Sequence, residues 1–318
     1  MTVKPEQKPK KVRKNHYIPN LAAAYFKPTE DWSLDQAREE FEKAKFDFPV
    51  DRVLYEDCVD FMRKLPDESV DVVIADPPFG LGFTGKESIY NRDERFVRRG
   101  YREVEGDYTE FSEKWIKELP MIMKEGGSAW IFSGWTRLDD ILRAIKESGL
   151  SLINHIIWKY QFGVFTSRKF VTSHYHILFL AKGPKYYFNK IVHYPLDVWE
   201  IKRTYRIGEV KNSTKLPEEL VAKCIEFSSR PGDLIFDPFM GNGTTAVAAK
   251  GTWRHYLGSE VNKKMKNVTD SNVKSIKPGQ LYVPYSERHD ELVARARRRY
   301  GVLNEKELSI VKLDQFQS

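Results

Sequence analysis

Cysteine is nearly absent: only Cys58 and Cys224 occur in 318 residues. Two thiols build neither a disulfide framework nor a four-cysteine zinc site, and no metal site is expected. Both stand among apolar neighbours with no histidine or Pro-Cys turn beside them, so they read as reduced packing residues. Long apolar runs are missing too, none approaching the roughly 18–20 residues that cross a bilayer. The opening MTVKPEQKPKKVRK lacks the apolar segment of a secretory signal. A cytoplasmic chain without a membrane partner is therefore expected. There is no internal repeat.

What the chain has is positive charge, +7 net, which suits a polyanionic partner. Basic residues gather in KPKKVRK (8–14), RFVRRGYR (95–102) and ARARRR (294–299). A charge run alone is more often a solvated surface than a binding site, so charge points to nucleic acid without locating it.

Residues 1–50 are polar and irregular and read as a basic N-terminal extension. From RVLYEDC (52–58) onward, short apolar runs alternate with amphipathic segments. VDVVIAD (70–76) is a β-branched run of the kind covered on both faces. SAWIFS (128–133), LINHIIWK (152–159), HYHILFLAKG (174–183), DLIFD (233–237) and RHYLGSE (254–260) complete six strand candidates. Helices are expected over DYTEFSEKWIKEL, with Asp107 as its cap, over WTRLDDILRAIKESG, ended by Gly149, over PEELVAKCIEFSS, from TTAVAAK, and over SERHDELVARARRRYG. Strands alternating with helices predict a doubly wound, mostly parallel α/β sheet.

VVIADPPFG (72–80) runs a buried strand straight into two prolines. Neither proline can donate to a sheet ladder, and each holds the residue before it extended. The result is a stiff ledge carrying the Asp76 carboxylate and the Phe79 ring. An exocyclic base amine is a poor nucleophile because its lone pair is delocalised into the ring. Hydrogen bonds from its N–H groups to the Asp76 carboxylate and the Pro77 carbonyl would favour a tetrahedral nitrogen, freeing the lone pair for in-line attack on a methyl group. Phe79 would stack on the base, which must leave the duplex to arrive there.

LIFDPFMGNGTTAVAAKG (234–251) is the second informative stretch. A strand ends in Asp237, Gly241 and Gly243 allow a tight turn and close backbone approach, and a helix begins at Thr244 with free N–H groups. Glu260, at the end of the next strand, suits two ribose hydroxyls. No GK[ST] follows the glycines, which excludes a P-loop. GNGTTA does match the dinucleotide pattern GxGxxA, but Asp237 would repel a pyrophosphate. S-adenosylmethionine, with a cationic sulfonium and an α-ammonium, would welcome it.

DPPF followed by DPFMGNGTT resembles the amino-methyltransferases of DNA that act on adenine N6 or cytosine N4. The catalytic motif precedes the cofactor loop, an order similar to their beta class, a circular permutation of the common domain. The resemblance implies a Rossmann-like fold with a seven-stranded, mostly parallel sheet and one antiparallel strand. It implies catalysis by Asp76, Pro77, Pro78 and Phe79, and S-adenosylmethionine held by Asp237, Phe239, Gly241, Gly243, Thr244 and Glu260. Asp57 and Lys215 are carried over across departures: EDC stands where the family often reads GDC, and KNSTKLPEEL lacks the family's His-Pro.

The implied organisation is a catalytic domain over 51–265, with target recognition within about 159–215 and a C-terminal extension over 266–318. Residues 80–107 are too long for a simple connection and read as a loop over the base and the DNA backbone. Lys86, Arg92, Arg95, Arg98 and Arg99 there, and Arg168, Lys169, Lys202, Arg203 and Arg206 further on, are the candidate contacts to double-stranded DNA. A leading aspartate favours adenine N6 over cytosine N4 in this family. A cognate restriction endonuclease as functional partner, a homodimer and nucleoid association are further expectations. An RNA or protein-amide methyltransferase, a catalytically inactive DNA-binding scaffold and a nicotinamide oxidoreductase are the competing readings.

Overall fold

The computed structural model describes residues 26–80, 104, 106–160, 167–203 and 215–288. Its strands are β1 (Arg52–Leu54), β2 (Val70–Ala75), β3 (Met123–Ser133), β4 (Ser151–Lys159), β5 (His174–Ala181), β6 (Val198–Glu200), β7 (Leu234–Asp237) and β8 (His255–Ser259). They form one sheet in the order β1-β8-β7-β2-β3-β5-β4-β6. β5 runs antiparallel to both of its neighbours, and the other pairings are parallel. Six strands lie where the sequence places them; β1, three residues at the start of RVLYEDC, was not singled out as a strand. Both β1 and β6 are three-residue edge strands, too short to carry a periodic signal.

The helices are α1 (Leu34–Lys43), α2 (Cys58–Met62), α3 (Tyr108–Ile116), α4 (Leu119–Ile122), α5 (Leu138–Ser148), α6 (Glu218–Ser228), α7 (Thr244–Gly251) and α8 (Lys266–Ser275). Alternate residues of β2 feed two separate cores. Val73 and Ala75 pack with Phe61 of α2, Trp115 of α3 and Ile141 of α5 on one face. Val72 and Ile74 pack with Leu220 and Ile225 of α6 and Ala246 of α7 on the other. A strand clothed on both faces has no use for polar alternation, which is why VDVVIAD reads as a continuous apolar run. Cys58 and Cys224 are free thiols buried in these cores. Among the described residues no helix is long and apolar enough to cross a membrane.

Between β7 and β2 the winding reverses. The chain leaving β2 passes through α3 to β3 on one side, and the chain leaving β7 passes through α7 to β8 on the other. Loops that diverge in this way open a crevice at the carboxyl ends of the two strands, where ligands of open α/β sheets bind.

Residues 26–50 are docked rather than extended away. Ser33 and Gln36 form a reciprocal capping box at the start of α1. Phe41 stacks on His255 with centroids 4.1 Å apart, and Phe46, Phe48 and Val50 pack against the core. The Arg230 guanidinium donates to both carboxylate oxygens of Glu30, which also accepts from the Tyr187 hydroxyl.

Candidate active site

Asp76 follows directly on β2, and Asp237 closes β7 alongside it; the parallel register pairs Val73 with Phe236. The two motifs of the sequence, far apart in the chain, thus meet at the point where the winding reverses.

The ledge is fixed from beneath. The Tyr108 hydroxyl donates to the Pro78 carbonyl at 2.9 Å. Gly80 turns there with φ +62°, and a β-carbon on it would lie 2.4 Å from the Tyr108 ring. The Phe79 ring meets Tyr175 edge-on, 5.0 Å between centroids and 78° between planes. Burial, seconded by the charge of Asp237, raises the Asp76 carboxyl to about 8, and Arg203 acts the other way.

The glycine loop is braced on three sides. Asp237 is buried, with Oδ1 accepting the Phe239 N–H at 2.8 Å. Burial raises it to about 7, with a smaller upward push from Glu260 against hydrogen bonds from Thr245 and Phe239. Glu260 accepts from the N–H groups of Gly241 (2.8 Å) and Asn262 (2.7 Å), while burial raises its own pKa. The Thr269 hydroxyl donates to the Gly241 carbonyl, and the Asn272 amide donates to the Asn242 carbonyl, both at 2.8 Å. Thr244 opens α7 and donates to Asn242 Oδ1 at 3.0 Å.

The two glycines differ in use. A β-carbon at Gly243, where φ is +86°, would stand 2.9 Å from Thr269, so that side is filled by protein. At Gly241, where φ is +52°, it would meet nothing nearer than the Phe239 carbonyl at 3.8 Å. The Gly241 face is therefore open to a ligand. Buried carboxylates on the loop suit a cationic ligand and disfavour a pyrophosphate. Glu260 retains lone pairs for hydroxyl donors beyond the two N–H groups it already accepts.

Other expected residues are placed differently. Asp57 caps α2, accepting from the N–H groups of Val59 (2.8 Å) and Asp60 (3.3 Å). The Phe239 ring packs edge-on against Trp115 at 5.1 Å and serves the core. Lys215 pairs with Glu218 at 3.4 Å at the start of α6. Arg168 and Lys169 lie on an exposed segment before β5, and Lys202 is exposed. Arg203 is drawn in against the rings of Trp158, Tyr160 and Tyr175. Lys86, Arg92, Arg95, Arg98, Arg99 and Arg206 lie outside the described residues.

Sequence reading missed Tyr108, Gly134, Tyr175, Thr269 and Asn272. They come from separate parts of the chain, Thr269 and Asn272 together from α8, and none carries a spacing signal relative to either motif. Thr245 was within reach, since it sits beside Thr244 at the first turn of a helix that follows a buried aspartate.

Residues 70–271 match the family of DNA methylases designated N6_N4_Mtase. A type II methyltransferase of Haemophilus influenzae, M.HinfI, is 30% identical over 250 residues, covering 72% of this chain and 70% of its own length. M2.DpnII of Streptococcus pneumoniae, also a type II methyltransferase, is 28% identical over 228 residues, covering 67% and 85%. In fold, the chain is similar to M1.HpyAVI solved in complex with SAM, with a TM-score of 0.55 at 21% identity over 70% of this chain and 98% of that one.

Proposed function

This chain belongs to the family of N6-adenine and N4-cytosine DNA methyltransferases, and from that premise we propose that it methylates the exocyclic amine of a base flipped out of double-stranded DNA, adenine N6 in preference to cytosine N4. The observation that carries the reading is the adjacency of β2 and β7, which sets the Asp76 ledge beside the Asp237 loop. The leading aspartate of the ledge supports adenine.

Asp237, Gly241, Thr244 and Glu260 would hold S-adenosylmethionine: the buried carboxylate for its cationic end, the open Gly241 face for close approach, and Glu260 for the ribose hydroxyls. When bound, that cofactor supplies the electrophilic methyl group. The protein's own task is to prepare the amine. Asp76 and the Pro77 carbonyl accept its two N–H groups, which localises the nitrogen lone pair outside the ring. Phe79 offers a face on which the base can stack, and Tyr108 holds the ledge through the Pro78 carbonyl. Rigid positioning of this kind supplies much of the barrier reduction in a two-substrate transfer. A restriction endonuclease reading the same sequence is the functional partner this activity implies, and a homodimer and nucleoid association belong to the same reading.

The test is incubation with unmethylated genomic DNA and S-adenosylmethionine, followed by nucleoside mass spectrometry, with Asp76→Ala as control. N6-methyladenosine from the wild type alone is the expected result. N4-methylcytosine would reverse the choice of base, and an unmarked DNA despite cofactor binding would move the substrate to RNA or protein.

A further inference from the structure

A single apolar residue at a surface is ordinary, but a group of them beside a reactive site asks for a partner. Phe170 is 98% exposed, more than any other large apolar side chain among the described residues. Val171 next to it is 39% exposed, and Trp135, from another part of the chain, is 58% exposed.

Both aromatics issue from the segments that hold the Phe79 ring. The register of β3 with β5 pairs Ser133 with His176, so the next residues outward, Gly134 and Tyr175, meet at the end of the sheet. Phe79 lies against both of them. Trp135 directly follows Gly134. Phe170 precedes Tyr175 by five residues, at most about 18 Å of extended chain. The two rings therefore rim the ledge on the side where these segments leave the sheet.

The root of the Phe170 segment is fixed. The Tyr160 N–H donates to the Ser173 carbonyl at 2.9 Å, and the Tyr160 hydroxyl donates to the Thr172 carbonyl at 3.5 Å. A ring carried two residues from such an anchor is presented without ordering a long loop on arrival, which lowers the cost of binding.

The rim is also basic. Arg168 and Lys169 immediately precede Phe170 and are exposed, and no carboxylate occurs in 133–138 or in 167–175. Cations beside an aromatic ring complement a polyanion that has unpaired flat faces to cover. A duplex from which one base has swung out is such a ligand: it leaves a gap between two bases, flanked by phosphates. Apolar side chains, phenylalanine among them, enter base steps in this way.

We propose that Phe170 is a wedge: when the target base swings onto the ledge, the Phe170 ring enters the vacated gap and stacks on the bases left behind, with Arg168 and Lys169 on adjoining phosphates and Trp135 forming the other side of the rim. The role rests on the flipped-base reaction proposed above. It gives the segment a part in holding the duplex open, beyond the contacts that charge alone suggested for Arg168 and Lys169.

The test compares two labelled duplexes of one sequence, one intact and one with a single central abasic site that stands for the vacated gap. Wild type should bind the abasic duplex about tenfold more tightly, toward the low end of what stacking of an aromatic side chain on one base contributes. Phe170→Ala, at a position too exposed to matter for folding, should lose that preference with its affinity for the intact duplex little changed. Phe170→Trp should keep the preference, and Trp135→Ala should lose part of it. Lys169→Gln should weaken both duplexes alike and reduce the salt dependence of each. On genomic DNA the single-turnover methylation rate of Phe170→Ala should fall about tenfold at unchanged affinity for S-adenosylmethionine. Equal affinity of wild type for the two duplexes, a preference that survives in Phe170→Ala, or an equal loss on both duplexes in that variant would overturn the inference. A wild type that prefers the gap yet marks no DNA would keep the wedge and overturn the reaction it serves; one that marks DNA without preferring the gap would do the reverse.

Discussion

The Phe79 ring lies against Gly134, so closely that a β-carbon at position 134 would stand 3.2 Å from its Cδ2. Gly134 directly follows β3, and its missing side chain is part of what allows the ring its edge-on contact with Tyr175. Gly134→Val should push the ring aside and lower the single-turnover rate on DNA at least tenfold, on the order of the cost of misplacing a reacting partner by a fraction of an ångström. Gly134→Ala, which needs only a few tenths of an ångström of yielding, should cost less. Cofactor affinity by calorimetry should be unchanged in both, because the atoms nearest to a side chain at 134 all belong to Phe79; a parallel loss of cofactor binding would contradict the assignment.

The buried Asp237 carboxyl sets a pH dependence whose sign is fixed. Its folded value, about 7, lies above the ordinary aspartate value because burial disfavours the charge. Stability from this group is therefore fully present below about pH 4, the unfolded value, and is lost as pH rises through 7. Asp237→Asn keeps an oxygen for the Phe239 N–H but cannot ionise. Its melting temperature should exceed that of the wild type at pH 8 and converge with it at pH 4.5. The gap is bounded at about 4 kcal/mol by the distance between the folded and unfolded values. Its affinity for S-adenosylmethionine should fall, since the cation loses its partner. A wild type whose melting temperature is flat from pH 4.5 to 8 would remove this account.

How much of this could be seen in advance depends on how local the cause is. β2 and β7 were legible because burial on both faces forces unbroken apolar runs, and the two loops because proline and glycine restrict or widen backbone choice within a few residues. α1 was not. LDQAREEFEK buries Ala37 alone and owes its place to Phe41 meeting His255, a partner more than two hundred residues away. The ring contacts of Arg203 were illegible for the same reason: Trp158 lies in β4, Tyr160 just after it and Tyr175 in β5, and no spacing between positions 158, 160, 175 and 203 announces that they converge. The arginine was legible as charge, and only the fold shows that the charge lies against these rings.

Glu260 is predicted to couple loop shape to ribose recognition. Each of its oxygens already accepts a backbone N–H, from Gly241 and from Asn262. Glu260→Gln presents one oxygen and one NH2, so one of these donors faces another donor, and the remaining acceptors for the two hydroxyls are halved. S-adenosylmethionine affinity should drop roughly ten- to hundredfold, as expected for about two hydrogen bonds to a charged group. Calorimetry on the DNA-free protein reads this directly; an unaltered Kd would place the ribose elsewhere.

The docking of residues 26–50 should itself be pH-dependent. His255 Nδ1 faces Asp51 Oδ2 at 2.8 Å and Nε2 faces the Phe41 carbonyl at 3.0 Å. Both partners are acceptors, so both ring nitrogens donate, which only the imidazolium can do. Burial lowers the pKa of His255, but the bonds to Asp51 and Phe41 outweigh it and the net direction is upward. Its contribution is therefore complete below about pH 6.5, the unfolded value, and lost as pH rises through the folded one. Amide exchange across α1, corrected for the intrinsic rate, should be slower at pH 6 than at pH 9, and His255→Gln should abolish the difference. Asp51→Asn should move the loss of protection to lower pH while leaving it in place, because the carbonyl partner remains. Exchange in α1 that keeps the same protection at both pH values in the wild type would mean that packing of Phe41, Phe46 and Phe48 holds the segment without help from the imidazolium charge.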